Sequence, residues 1–345
     1  MNPDPPARLC LDGRALADNW RYLKAQGGLA CGAAVKADGY GLGAREVVIR
    51  LRDAGCRDFF VAHWAEAAAI ANLVPPEHIA VLHGIDADDI GCARAIGAIP
   101  VLNSPRQIAM WKAAGGGRAH VMLDSGINRL GIGPEQFSKD MFRGLDIDVL
   151  MSHLASADED VPQNEQQLAL FQKLSSQIVS RRRSLANSAG IVLGRNYHFD
   201  LTRPGLSIYG GIPRKRSSSH IRPVAHLSAR LLQVRNLQTG EPVGYNSAHI
   251  CRKPTRVGTL SIGYADGYVK SLSGKGTVLA DGYIMPVIGR VSMDMITVDL
   301  TDTTHVGEGD WLNIAFDLSE ASRVSGRSQY ELLTNLGQRF DRRWM

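Results

Sequence analysis

The first candidate for chemistry in this chain is a lysine at the end of a short apolar run. Ala33-Ala34-Val35 leads into Lys36, and Ala37-Asp38-Gly39-Tyr40-Gly41-Leu42-Gly43 follows before an apolar helical pattern begins at Ala44. Burial at a strand end disfavours the ammonium form of a lysine and frees its amine as a nucleophile. Such an amine forms an imine with an aldehyde cofactor, and pyridoxal phosphate is the usual one. Lys36 taken alone would also suit a strand end that reaches solvent. The loop behind it favours the first reading. Glycines let backbone pass close to a ligand, and the Tyr40 hydroxyl between them can donate to a phosphate.

Further candidates recur at the ends of other β-rich runs. Arg129 closes Asp124-Ser125-Gly126-Ile127-Asn128-Arg129, and His153 ends Met151-Ser152-His153. Asn187-Ser188-Ala189-Gly190 and Arg203-Pro204-Gly205-Leu206 follow the last two runs. Ser188 and the amides near Gly205 and Leu206 are natural phosphate donors, because small residues permit close backbone approach. Alone, Arg129 would suit a surface ion pair and His153 a satisfied strand-end histidine. A metal site at His153, Asp158 and Glu159 lacks any further ligand at suitable spacing, so no metal is expected. Ser273-Gly274-Lys275-Gly276-Thr277 lacks the spacing of a phosphate loop and reads as a glycine turn.

The elements that must position these groups follow a βα rhythm. Strand patterns occur at Ala30–Lys36, Phe59–His63, Ile79–His83, Pro100–Asn103, Ala119–Leu123, Val149–His153, Ser184–Ser188 and Tyr197–Leu201. Helical patterns at Ala44–Ala54, Ala65–Leu73, Pro105–Ala114 and Asn164–Arg181 lie between them. Eight such units predict an α/β fold, a closed (β/α)8 TIM-type barrel whose strand ends carry the chemistry. After Tyr209 the rhythm changes. Pro213-Arg214-Lys215-Arg216-Ser217-Ser218-Ser219 reads as a polar linker. Strand patterns at Thr255–Ile262, Gly276–Ala280 and Ile296–Leu300 follow, with Asp281-Gly282 as a hairpin turn. The expected division is a barrel over residues 10–215 and a smaller, mainly β domain over 216–345, with residues 1–9 free to pack with the latter.

Composition narrows the function classes. A length of 345 residues suits one large barrel or two domains. No apolar run approaches the roughly 20 residues of a membrane span, and the stretch from Met1 to Cys10 does not read as a secretory signal. Five dispersed cysteines with no Cys-x-x-Cys pair read as free thiols, which points to the cytoplasm. The formal charge of +5 is mild, and the basic clusters at Arg181–Arg183 and Arg214–Arg216 lack interleaved aromatics. Neither nucleic acid nor a membrane is therefore expected as a partner.

Taken together these segments resemble the alanine racemases over nearly the whole chain. Ala34-Val35-Lys36-Ala37-Asp38-Gly39-Tyr40-Gly41-Leu42-Gly43 is similar to the family's cofactor-lysine signature, and Arg203-Pro204-Gly205-Leu206-Ser207-Ile208-Tyr209-Gly210 to its cofactor-contact segment. Gly244-Tyr245-Asn246, Gly263-Tyr264-Ala265-Asp266-Gly267 and Gly289-Arg290-Val291-Ser292-Met293-Asp294-Met295 resemble its second-domain motifs. The resemblance implies interconversion of L- and D-alanine, supplying D-alanine for peptidoglycan. It implies that Lys36 carries pyridoxal phosphate and acts as one base. Tyr245 would be the opposite base, from the partner subunit of a homodimer with shared sites. Arg129 would hold the substrate carboxylate side of the site and the cofactor's phenolic oxygen, the partner's Met293 would offer a backbone amide to the carboxylate, and Tyr264 would line the entry. Tyr40, Ser188, Gly205 and Leu206 would bind phosphate, with Asn187 beside them. Arg203 would face the pyridine nitrogen, with His153 bonded behind it.

The chemistry suits that assignment. Moving a proton off one face of Cα and onto the other calls for two bases. A tyrosine needs cationic neighbours to reach its anion. An arginine at the pyridine nitrogen does not give up its proton, which leaves the ring a weaker electron sink and disfavours side reactions. Two positions depart from the family. Met122 stands where many members have a lysine, carbamylated in some, and Gln338 stands where many have a tyrosine at the gate. A polar gate keeps serine, or several amino acids, open as substrates. A pyridoxal phosphate-binding barrel protein without turnover is the rival of another class, and the second domain with Tyr245 and Met293 opposes it. A decarboxylase on the same barrel would want an acid where Arg203 stands.

Overall fold

In this computed structural model residues 4–217 and 219–345 are described. Met1–Pro3 of the N-terminal stretch and Ser218 of the polar linker lie outside the described residues. The chain divides into two compact units, a barrel unit of Ala15–Arg222 and a β unit of Met1–Arg14 with Pro223–Met345.

Seven strands of the barrel unit pair in parallel and in sequence order: Ala33–Ala34, Phe59–Val61, Ile79–Val81, Ile99–Leu102, Arg118–Met122, Asp146–Met151 and Arg182–Ser184. The eighth, Leu201–Thr202, pairs in parallel with Ala30–Cys31, the first half of the run that Ala33–Ala34 continues. Asp200 N–H donates to the Arg183 carbonyl at 3.1 Å, Arg203 N–H to Ala186 at 2.8 Å, and Ala34 N–H to Pro204 at 2.9 Å, which closes the barrel. The second, third and fourth of these strands are buried along their whole length, as expected where helices cover the outside and side chains fill the inside. Helix Ala44–Ala54 shows why the helical pattern was legible. It buries Ala44, Val47, Val48 and Leu51 on one face and stops at Gly55, whose φ of 105° only glycine adopts easily. Helix Pro105–Ala113 starts on the Ser104 cap with proline in its first turn.

Several sequence expectations differ from the structure. The helical pattern at Asn164–Arg181 is a helix only over Gln163–Ser175, and Arg182 already belongs to the next strand. The run at Ser184–Ser188 is a strand only over Arg182–Ser184, because Asn187 caps a new helix at Ser188–Leu193. Tyr197 ends a 3₁₀ turn, and the eighth strand begins at Leu201. The helix at Gly13–Gln26 and the strand at Ala225–Leu237 had no counterpart in the sequence reading.

In the β unit six strands form an antiparallel ring. Its order is Thr255–Leu260, Ile296–Asp299, Tyr283–Ile288, Thr277–Ala280, Trp311–Ile314 and Ala225–Leu237, and the last pairs back to the first. The long strand bends at an irregularity between Leu231 and Gln233, which lets it serve both neighbours. Ala7–Leu11 adds to its edge in antiparallel fashion, and Asp341–Trp344 adds to Ala7–Leu11 in parallel. Asp281 and Gly282, with φ of 47° and 85°, make the two-residue turn between Thr277–Ala280 and Tyr283–Ile288.

The expected boundary at 215/216 lies in the turn Lys215–Ser217, inside the barrel unit. There Arg214 donates to the carbonyls of Ala157 and Glu159 and pairs with Asp160 at 2.7 Å, and Asn19 exchanges hydrogen bonds with the Arg222 backbone. Residues 10–14 belong with the β unit, through the pairing of Ala7–Leu11. Among the described residues no helix is long and apolar enough to cross a membrane.

Candidate active site

Lys36 ends the first barrel run and opens a turn of unusual hand. Ala37, Asp38, Gly39 and Tyr40 all have positive φ, between 52° and 62°. Left-handed backbone costs an L-residue roughly 1–2 kcal/mol, so Ala37, Asp38 and Tyr40 keep it only where surrounding bonds hold them. Those bonds are present. Gly39 N–H donates to the Val35 carbonyl at 2.9 Å, Gly41 to Ala37 at 2.8 Å and Gly43 to Asp38 at 2.8 Å. The Asp38 side chain accepts from Ala44 N–H at 2.8 Å, tying the turn to the helix that follows. Lys36 itself is half-buried. Burial, and then the Arg129 charge, hold its amine below the usual lysine range, while the Glu66 carboxylate acts in the opposite sense.

Tyr40 leaves this turn beside the end of the eighth strand. Its ring stacks on Tyr209 at 4.6 Å, and the Tyr209 hydroxyl donates to the Ala34 carbonyl at 2.8 Å. Next to them, Ser188 Oγ accepts from Gly205 N–H at 2.9 Å and from Ser207 N–H at 3.2 Å. Its own proton is left to donate. The Gly205 amide meets Ser188, and the residue also provides space: a Cβ there would fall 2.1 Å from Tyr40 Oη. Leu206 opens a 3₁₀ turn, so the turn itself leaves its N–H unused. Asn187 Oδ1 caps the Gly190 N–H at 2.9 Å and fixes the helix on which Ser188 stands.

Arg203 is buried, at 7% exposure. Its guanidinium donates to Ser184 Oγ and to the Ser152 carbonyl, and burial pulls its pKa down to about 10, so it stays charged at neutral pH. Ser152 Oγ meets Ser125 Oγ at 2.7 Å. The His153 ring makes no hydrogen bond to Arg203 among the described residues. Arg203 reaches the strand-end serines instead. Burial and the charges of Arg203, Arg129 and Lys36 push His153 down to about 3, and its carbonyl accepts from Gln167 Nε2 at 3.0 Å.

Arg129 rides on a loop folded around one carboxylate. Asp124 Oδ1 accepts from the N–H of Gly126, Ile127 and Asn128 at 2.7, 3.0 and 3.2 Å, and Oδ2 from Arg129 N–H at 3.1 Å. Met122, where the family pattern has a lysine, packs below it, with Cγ 3.1 Å from where a Gly131 Cβ would stand. The Arg129 backbone is therefore set by Asp124 rather than by residue 122.

The remaining candidates belong to the β unit. Tyr245, at 69% exposure, stands on a turn in which Asn246 and Ser247 have φ of 57° and 49°. In the same unit Val243, Cys251, Val257 and Ile288 form a small apolar cluster. Met293 is 53% exposed. Tyr264 and Ala265 donate to the carbonyls of Ser292 and Met293, each at 3.0 Å, so the two motifs lie side by side. Gly263 is required there, since a Cβ would fall 2.3 Å from the Met293 carbonyl oxygen. Arg339 braces the pair: it grips Asp266 with two bonds, at 2.9 and 3.0 Å, and Asp294 with one at 2.7 Å. Gln338, next to it, is exposed.

The structure thus gathers Lys36, Tyr40, Arg129, His153, Asn187, Ser188, Arg203, Gly205 and Leu206 at strand ends of the barrel unit, and Tyr245, Tyr264 and Met293 on the β unit. Sequence reasoning missed Glu66, Asp124 as a loop anchor, Ser152, Ser184 and Tyr209. Only Asp124 had a local signal, an aspartate two residues before a glycine at a loop start.

A closed parallel barrel with a desolvated lysine and a buried arginine at its strand ends, followed by an antiparallel β ring, defines a two-domain α/β barrel enzyme. The family models described as "Alanine racemase, N-terminal domain" and "Alanine racemase, C-terminal domain" match residues 11–213 and 224–344. An Agrobacterium fabrum protein named "Alanine racemase, biosynthetic" is 38% identical, with 99% of this chain and 94% of that one covered. An "Alanine racemase" of Methylobacterium nodulans is 40% identical over 98% and 96% of the two chains. The solved structure of alanine racemase from Bartonella henselae, with covalently bound pyridoxal phosphate, has 35% identity and a TM-score of 0.92, covering 99% and 100%. That of biosynthetic alanine racemase from Pseudomonas aeruginosa has 35% identity and a TM-score of 0.90, covering 99% of each chain. The chain belongs to the alanine racemase family.

Proposed function

We propose that this chain is a pyridoxal phosphate-dependent amino-acid racemase that interconverts L- and D-alanine and supplies D-alanine for peptidoglycan, acting in the cytoplasm as a homodimer with shared sites. The observation that carries the reading is Lys36, half-buried with its pKa lowered, on a turn whose next tyrosine fits only against a glycine at 205. The residues suit the cofactor: an amine at Lys36, hydroxyls at Tyr40 and Ser188, the Leu206 amide and the Arg203 cation. When bound, pyridoxal phosphate supplies the electron sink that acidifies the substrate's α C–H bond. Lys36 moves the proton on one face of Cα, and Tyr245 of the partner subunit moves it on the other. Each positioned base is worth about 10²–10⁴-fold. Arg129 and the partner's Met293 hold the carboxylate, and Tyr264 lines the entry. Arg203, cationic and unwilling to lose its proton, limits how far charge drains away from Cα.

Support for the shared site comes from exposure: Tyr245 and Met293 are large side chains left open on the β unit. The exposed amide of Gln338 is what favours serine as the alternative substrate. The test is incubation of the holoenzyme with L-alanine and with L-serine, followed by chiral analysis. D-alanine rising toward an equal mixture is expected. Its absence overturns the reading, and a faster approach with serine replaces alanine as the main substrate.

A further inference from the structure

Glu66 occupies the third position of helix Trp64–Ile70, where a glutamate ordinarily reaches back to its own N-cap N–H. Here it does otherwise. Oε1 accepts from Ala37 N–H and Oε2 from Ala62 N–H, both at 2.7 Å. The side chain is 18% exposed, with the Ala62 bond partly buried and the Ala37 bond nearer the surface. Ala37 directly follows Lys36, and Ala62 directly follows the second strand, Phe59–Val61. One carboxylate thus joins the ends of the first two barrel strands at the point where the left-handed turn begins.

We propose that Glu66 is the positioning residue of the cofactor lysine: its carboxylate, by accepting both the Ala37 and the Ala62 N–H, holds the left-handed turn on which Lys36 and Tyr40 ride. The inference rests on the reading of Lys36 as the lysine that carries pyridoxal phosphate. Three observations converge on it. Ala37 and Asp38, at φ of 53° and 52°, adopt a conformation that L-residues leave when unrestrained. The bonds from Gly39 and Gly41 act within the turn and its preceding residue, and that from Asp38 ties its far side to the next helix. Before Lys36, Val35 N–H donates to the Phe60 carbonyl of the second strand at 2.9 Å; after it, at Ala37 where the left-handed turn begins, the link to that strand's end runs through Glu66. The same carboxylate also places a negative charge near Lys36, opposing the effects of burial and of Arg129 on the amine. A helix-capping role alone would leave both amides without these acceptors.

The test compares wild-type holoenzyme with Glu66→Gln and Glu66→Asp. The glutamine keeps one acceptor and turns an N–H₂ group toward the other amide; the aspartate keeps the charge but is one methylene too short to span both. Amide hydrogen exchange at Ala37 is expected to rise at least about tenfold in both variants, with Arg118–Met122 and Thr277–Ala280 unchanged. The visible circular dichroism of bound pyridoxal phosphate should weaken, and kcat for L-alanine should fall at least about tenfold with KM within about threefold. Unchanged exchange at Ala37, or exchange raised evenly over the barrel, overturns the proposal. Should the glutamine variant not fold, an aspartate variant with wild-type Ala37 exchange and kcat overturns it as well. Wild-type protein that yields no D-alanine would sink the racemase reading, while exchange at Ala37 would still report on Glu66.

Discussion

The Tyr40 hydroxyl oxygen lies 2.1 Å from the place a Cβ on residue 205 would take, and the ring carbon that bears it lies 2.8 Å away. These residues come from opposite ends of the barrel sequence, after the first strand and after the eighth. Closure of the barrel brings them together, and the missing side chain at 205 lets the tyrosine stay stacked on Tyr209. Burial raises the Tyr209 pKa, so its hydroxyl remains a neutral donor to Ala34.

Gly205→Ala should therefore displace Tyr40 without unfolding the barrel. Overpacking of this kind typically costs about 1–3 kcal/mol. Affinity for pyridoxal phosphate, measured by absorbance titration of cofactor-depleted protein, should drop at least about tenfold, the worth of roughly one hydrogen bond to a charged group. Wild-type affinity would show that Tyr40 does not depend on this gap.

Asp124→Asn should act on substrate binding. The amide offers one acceptor oxygen where the carboxylate satisfies four N–H groups, and its own N–H₂ would face a donor. The loop that presents Arg129 should loosen. KM for L-alanine should rise about tenfold or more, with kcat affected less. An unchanged KM in steady-state assays would separate Arg129 placement from Asp124.

Stability should decline in acid through His120. This side chain is buried at 3% exposure, and its Nδ1 accepts from Val149 N–H at 3.2 Å. Burial, partly offset by Asp148, holds its pKa at about 3. The unfolded chain takes up a proton there below about pH 6.5, while the folded protein does so only near pH 3. The contribution of His120 is thus complete above about pH 6.5 and falls by about 1.4 kcal/mol per pH unit below it. His153, also held at about 3, works in the same direction. Thermal midpoints between pH 7.5 and 5 should fall less steeply for His120→Gln than for the wild type; parallel slopes would contradict the assignment.

Lys36→Ala and Tyr245→Phe should each abolish racemisation, the latter while still exchanging the α-proton of D-alanine with solvent deuterium. Mixed and allowed to exchange subunits, the two inactive chains should regain up to about one working site per heterodimer, because two-fold pairing puts both intact bases in one of its sites. No recovery after verified subunit exchange would place both bases within one chain.

Local sequence determined what depends on neighbours a few residues apart. The alternation of strand and helix patterns, the helix over 44–54, the turn at Asp281-Gly282, and the lysine with its glycine-rich loop all follow from periodicity and from backbone preferences of single residue types. The tertiary structure decided what depends on pairs far apart in the chain. Ala7–Leu11 joins the β unit only because Ala225–Leu237 offers an edge more than two hundred residues away, and no local pattern records that edge. The left-handed hand of the Lys36 turn, Glu66 as the acceptor for Ala37, and Ser152 and Ser184 as partners of Arg203 likewise lay beyond the sequence. A polar side chain has many equivalent partners in an unfolded chain. Which of them it meets is set by the packing of the strands, whose apolar burial fixes the distances within which such bonds can form.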